Sequence, residues 1–207
     1  FNVVEIFRHV TRSAARIGST DSISDLMRRA FYQLRTSRTG PVLLEVAGEV
    51  WFADIEGELD YTPVKSSKLG TDPKAVSEAT VALLAAKCPV IHAGQGCLYA
   101  EAWDELMELA ELLEAPVMTT MQGKSVFPEN HSLALGAATV SKTKQTAHFV
   151  SEADVIFGVG CSMTVTGYGI SIPPGKIIIH NSANPADINK EIYNNFCFFL
   201  FLYFLCR

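Results

Sequence analysis

Apolar residues recur along this chain in two rhythms, and the switches between them outline its elements. Ile23, Leu26, Met27, Ala30, Phe31 and Leu34 fall at the three-and-four spacing of one helix face that runs to about Arg35, with Asp21 or Ser22 placed to cap its start. After Thr39-Gly40-Pro41 the pattern becomes nearly continuous over residues 42–46, the habit of a parallel strand buried on both faces. Helical spacing returns at Val76, Ala79, Thr80, Leu83 and Leu84, behind Asp72 as N-cap and Pro73 at the first helical position. Residues 90–94 then read as a strand ending in Gly94-Gln95-Gly96, and a helix follows with Leu98, Ala102, Leu106, Leu109, Ala110 and Leu113 on one face. A strand at 116–119 closes a βαβ unit, and the carboxyl ends of such strands are where open parallel sheets take ligands.

Beyond Gly123 the chain loops through Pro128 to residues 133–136. A helix is expected at 144–151, a strand at 154–159, a turn at 171–175, a strand at 176–180 and a short helical start at 186–192. Each of the strands at 90–94, 116–119, 154–159 and 176–180 is separated from the next by a helix or a long crossover, so the four are expected to share one parallel sheet. Residues 1–21 are polar and mixed, with Arg8, Arg12 and Arg16 at helical intervals. Helix then strand, with nothing before them, reads as the C-terminal part of another α/β domain. The polar run 52–72, with Asp54, Glu56, Glu58, Asp60, Pro63, Ser66, Ser67 and Gly70, reads as a linker. The expected fold is α/β: a Rossmann-like parallel-sheet central domain at 73–192, preceded by residues 1–51 and the linker.

The last residues break the pattern. Residues 196–206 are apolar throughout and follow neither period. As a helix they would rise about 16 Å against roughly 30 Å for a bilayer core, which disfavours a spanning segment. We read 193–207 as an anomalous tail, a truncated or mistranslated end; a membrane-associating tail and a buried strand are the alternatives. With Phe1 rather than Met at the start and no signal segment, the chain reads as a fragment.

Composition then narrows the function classes. Apolar content of 48% with 19% charged residues describes a globular core, and a net charge of −5 without a basic block argues against a nucleic-acid surface. The five cysteines lack C-x-x-C spacing and read as reduced thiols, in keeping with a cytoplasmic protein. The five histidines (9, 92, 131, 148, 180) show no metal-ligand spacing; His92 and His180 lie in strands and read as satisfied core or rim histidines. No serine sits in a nucleophile elbow, and Asp104, Glu105 and Glu108 line a solvated helix face.

The glycine turns carry what candidate chemistry there is. A dinucleotide fingerprint fails at Tyr99, where glycine or alanine is needed, and at Thr119 and Thr120, where an acid would close the next strand. A P-loop ending at Gly123-Lys124-Ser125 fails because Met118 stands in place of its first glycine. Two readings stay open. Gly94, Gln95, Gly96, Thr119, Thr120, Gly158, Gly160 and Asn181 form a cofactor site, with glycine N–H groups and a helix N-terminus facing phosphate. Alternatively the glycines shape tight turns, the threonines end their strand without a binding role, and Asn181 caps the turn that follows it.

In this order the residues resemble a known family. The strand with Gly94-Gln95-Gly96, the Thr119-Thr120-x-x-Gly123 turn, the Phe127-Pro128-Glu129-Asn130-His131 loop and residues 153–160 are similar to the central domain of thiamine-diphosphate-dependent decarboxylases and carboligases of the acetolactate synthase type. Residues 40–46, followed by Val50, look like the last strand of that family's pyrimidine-binding domain. The resemblance covers roughly residues 5–192.

It implies an enzyme that uses thiamine diphosphate and Mg²⁺ to decarboxylate 2-oxo acids or to cleave or join C–C bonds beside a carbonyl. It further implies a small-molecule 2-oxo acid or acyl substrate, no nucleic-acid or membrane partner, and a homo-oligomer, dimer or tetramer, at full length. The activating glutamate and the metal motif of the family fall outside these residues, so no catalytic or metal-binding residue is assigned and the chain alone is expected to be inert. The central domain of relatives holds FAD, ADP or nothing. In this chain Gly94-Gln95-Gly96 replaces a triple glycine, and Cys161-Ser162-Met163-Thr164 lacks the arginine that contacts flavin. The competing reading is a Rossmann-like adenine-nucleotide module without thiamine chemistry, which has no need of the half-domain at residues 1–55.

Overall fold

The structure, a computed structural model, sorts the strands and helices into two units. It describes all residues except 37–38, 56, 58–59, 66–69 and 199–207. The units are Phe1–Lys68 and Leu69–Arg207.

In the first unit, α1 (Val3–Phe7) leads to β1 (Ser13–Ile17), a 3₁₀ turn at Thr20–Ser22, α2 (Ile23–Arg35), β2 (Val42–Val46) and α3 (Gly48–Trp51). β1 and β2 pair in parallel from Ser13↔Val42 to Ile17↔Val46, a βαβ unit wound through α2. Sequence pattern does not reveal β1, because Ser13-Ala-Ala-Arg16 has little strand character; Arg12 and Arg16 belong to a strand and its approach, not to a helix. The helix start also differs. Neither Asp21 nor Ser22 caps α2 by its side chain; the chain enters through the 3₁₀ turn, and Ser22 Oγ donates to Ser19 O. Leu34, expected on the buried face, is exposed. The core is small: Ile17, Ala47 and Val50, flanked by Ile23, Leu26, Leu44 and Val46.

In the second unit, Asp72 caps α4 (Pro73–Ala85) as expected, its carboxylate accepting from Lys74 N at 2.9 Å. The buried line is Ala79 and Leu83, with Val76 half-buried; Thr80 and Leu84 face solvent. β3 (Pro89–Ala93) follows, then α5 (Gln95–Ala100) and α6 (Trp103–Leu112), two helices where the apolar period predicts one. Glu101 breaks them in the left-handed region (φ 54°), its N–H on Leu98 O and that of Ala102 on Cys97 O. The break leaves Ala102, Leu106 and Ala110 on the core side, so the apolar period runs through it unbroken.

β4 (Val117–Thr119), β5 (Ala134–Ala137), α7 (Lys144–Glu152), β6 (Val155–Val159), β7 (Ile177–Asn181) and β8 (Phe196–Phe198) complete the unit. Among the described residues the sheet has six strands, all pairing in parallel, in the order β5-β4-β3-β6-β7-β8. The four expected strands share it. β5 is an addition: its Ala-Leu-Gly-Ala segment has weak strand character, and it joins β4 through an irregularity where Gly136 takes φ 76°. β8 and the buried Phe198 lie beyond residue 192, so the start of the supposed anomalous tail belongs to the sheet; residues 199–207 are outside the described residues. The helical start expected at 186–192 is only a 3₁₀ turn, Pro185–Asp187.

Both faces of the sheet are covered, as continuous apolar strands require. Ile91, Val117, Phe157, Ile179 and Phe198 pack with Ala79 and Leu83 of α4 and Leu106 and Ala110 of α6. Val90, Met118, Ile156 and Ile178 pack on the other face with Val150 of α7 and with Cys161 and Met163. Among the described residues no helix is long and apolar enough to cross a membrane.

Candidate functional site

Numbered from the second unit's own start, the strand order is 3-2-1-4-5-6, so the winding reverses between β3 and β6. Their carboxyl ends form the crevice where such sheets place a ligand. Register aligns the candidate residues in two rows. Thr119, Ala93, Val159, Asn181 and Phe198 lie side by side in one, and Met118, His92, Gly158, His180 and Cys197 in the other.

The structure brings Gly94, Gly96 and Gly160 together and adds Gly123, which sequence reasoning does not place in the site. Gly94 N donates to Val159 O at 2.8 Å, Gly96 N to Gly160 O at 2.7 Å, and Gly160 N to Asn181 O at 3.0 Å. A Cβ on Gly94 would stand 2.3 Å from Gly160 O, one on Gly160 2.6 Å from Cys97 N, and one on Gly123 2.8 Å from the Gly94 carbonyl carbon. These are backbone-to-backbone contacts with no room for a side chain. Gly160 also has φ 60°, in the left-handed region that glycine adopts most readily.

Gly158 is separated from this group. It lies inside β6, and the space its side chain would fill holds Met163 Sδ. Gln95 is exposed on the first turn of α5. Thr120 ties the turn after β4 to its neighbour: its N–H donates to Ala93 O at 2.8 Å, and its hydroxyl accepts from Gly123 N at 2.9 Å. Thr119 and Asn181 sit towards the two flanks of their row, deeply buried, with Thr119 Oγ1 and Asn181 Oδ1 lacking partners.

Two histidines face the Gly158 side. His180 Nε2 donates to Cys161 O at 2.9 Å, and its Nδ1 lies 3.2 Å from Asn194 Oδ1. His92 corrects the sequence reading, since both ring nitrogens are buried without a partner. Burial, and secondarily the neighbouring His180, push its pKa from 6.5 to about 4, so the ring is neutral. Burial likewise pushes the Cys97 and Cys161 thiols up to about 12, which removes them as nucleophiles. Among the described residues no group of three or more His, Cys, Asp or Glu side chains can hold a metal ion.

Fold and edge define a doubly wound α/β unit of the Rossmann-like class. The chain belongs to the thiamine-pyrophosphate-dependent enzymes: it matches the family described as "Thiamine pyrophosphate enzyme, central domain" over residues 76–198. It is 35% identical over 195 residues to the "Probable acetolactate synthase large subunit" of Methanocaldococcus jannaschii, covering 90% of this chain and 33% of that protein. It is 29% identical over 199 residues to the glyoxylate carboligase of Escherichia coli O157:H7, covering 92% and 33%. The benzoylformate decarboxylase of Polynucleobacter necessarius shares the fold, with a TM-score of 0.75 and 24% identity over 91% of this chain and 36% of that one. The chain spans about a third of the length of the curated relatives it matches.

Proposed function

We propose that this chain forms the central portion of an enzyme that decarboxylates 2-oxo acids or joins and cleaves C–C bonds beside a carbonyl, in the manner of an acetolactate synthase. The observation that carries this reading is the 35% identity to an acetolactate synthase large subunit, sustained over 90% of the chain and both units. Thiamine diphosphate with Mg²⁺ supplies the carbanion chemistry of such enzymes. This chain's contribution is mechanical. Its second unit is a sheet covered on both faces. Its first unit, in this reading, is the C-terminal part of the pyrimidine-binding domain. The catalytic groups and the metal ligands belong to other segments of the protein, which works as a cytoplasmic homo-oligomer on small acids.

The test compares two proteins in the presence of pyruvate, thiamine diphosphate and Mg²⁺. The 207-residue chain should release no CO₂ above background. The protein extended to the length of its relatives should turn over 2-oxo acid. Turnover by the chain alone would overturn the placement of the catalytic groups, and an inert but folded extended protein would overturn the reaction class.

A further inference from the structure

At the switch point between β3 and β6 the glycine turns hydrogen-bond to one another through their backbones. A nucleoside diphosphate at such a crevice is held by turn N–H groups that a glycine leaves approachable. In this chain the Gly96 N–H already donates to the Gly160 carbonyl at 2.7 Å, and the Gly94 N–H to Val159 O at 2.8 Å. The Gly160 oxygen thus takes up the Gly96 N–H, and it would meet a Cβ on Gly94 at 2.3 Å. Around it the Cys97 N–H is turned onto Gly94 O, and those of Thr120 and Gly123 onto Ala93 O and Thr120 O. The helix behind the turn has six residues and ends at Glu101, too short to add much dipole.

Charge points the same way. No arginine stands between Arg38 and Arg207. Lys124, the lysine of the turn after β4, pairs with Glu129 at 2.9 Å. We propose that Gly94, Gly96, Gly123 and Gly160 are an interlock that takes the place of a bound phosphate, so that this edge holds neither FAD nor ADP and serves as a scaffold. The glycines are then needed for close approach of three turns rather than for a ligand.

Two positive-φ glycines separate close approach from backbone conformation. Gly160 (φ 60°) has Cys97 N in the way of a Cβ, whereas Gly136 (φ 76°) has nothing within 4 Å. Asparagine tolerates the left-handed region, so Gly136→Asn should shift the melting temperature by no more than about 3 °C. Gly160→Asn should lower it by about 10 °C or more, or prevent soluble accumulation. Equal melting temperatures for the two variants would overturn the interlock. Calorimetric titration of the folded parent protein with ADP and with FAD should show no saturable binding tighter than about 1 mM. Saturable micromolar binding of either would overturn the proposal.

Discussion

The two units carry similar apolar patterns but bury them differently. β2 is Val-Leu-Leu-Glu-Val, and every residue in it is only half-buried; β6 is Val-Ile-Phe-Gly-Val, and every residue in it is buried. The difference is in neighbours. β6 lies between β3 and β7, with helices or loops on both faces, while among the described residues β2 pairs only with β1. A parallel strand is stable when both of its faces and both of its edges are covered, so the same sequence habit yields a core in one unit and a surface in the other. Apolar periodicity therefore states what an element can bury, and topology decides what it does bury.

Core truncation tests this contrast with the largest expected effect. Phe157 is fully buried in β6, facing Ile91, Ile179 and Phe198, and Phe157→Ala should cost about 3–5 kcal/mol. Leu44 is half-buried in β2, and Leu44→Ala should cost about 1 kcal/mol, since much of its surface already meets solvent. Urea melts followed by circular dichroism measure both. Comparable losses would mean that β2 is as well supported as β6, and the contrast would fail. Amide exchange gives the same comparison without mutation: β3 and β6 should be protected far longer than β1 and β2.

Acid should act first on the second unit. Its buried His92 has a pKa of about 4 when folded and 6.5 when free, so the unfolded chain takes up the proton first. Stability is then complete above about pH 6.5 and falls as pH drops towards 4, by a total on the order of 3 kcal/mol. The first unit's one histidine, His9, is exposed. His92→Leu removes two unpartnered nitrogens and should leave stability at pH 7 equal or higher while flattening the limb between pH 6.5 and 4. Melts of parent and variant across that range decide it, and an unchanged acid limb would place the sensitivity elsewhere.

What is legible in the sequence follows the same physical line. The four long-patterned strands, the Asp72 cap and the parallel sheet are readable because local periodicity and turn chemistry coincide with the tertiary outcome. β1, β5 and β8 are not. β1 is Ser-Ala-Ala-Arg-Ile and β5 is Ala-Leu-Gly-Ala, segments made strands by their neighbours rather than by their own propensity. Phe196-Cys-Phe198 looks anomalous because it continues into an apolar run without alternation, although its place beside β7 is ordinary. At the candidate site the sequence places the glycine turns at the carboxyl ends of their strands, but the mutual packing of Gly94, Gly96 and Gly160 is hidden. Two turns separated by more than sixty residues share those contacts, and no local pattern records that.

The smallest expected effect sharpens how much the second unit owes to its polar ties. Asp154, just before β6, accepts from Lys87 N at 2.7 Å and Cys88 N at 3.0 Å, joining the approach of β3 to that of β6. Partial burial pushes its carboxyl pKa up, but the N–H groups of Lys87, Cys88, Asp154 and Val155 outweigh this and hold it below 3.8. Its contribution is thus present above the unfolded value and lost as pH falls through the lower folded one, a window below that of His92. Asp154→Asn keeps the shape and one acceptor oxygen, and should cost about 1 kcal/mol because the group stays partly solvated. A urea melt at pH 7 measures it. A loss as large as that of Phe157→Ala would show that polar ties register the sheet as strongly as its core does, and the difference between β2 and β6 would then owe as much to hydrogen bonding as to apolar burial.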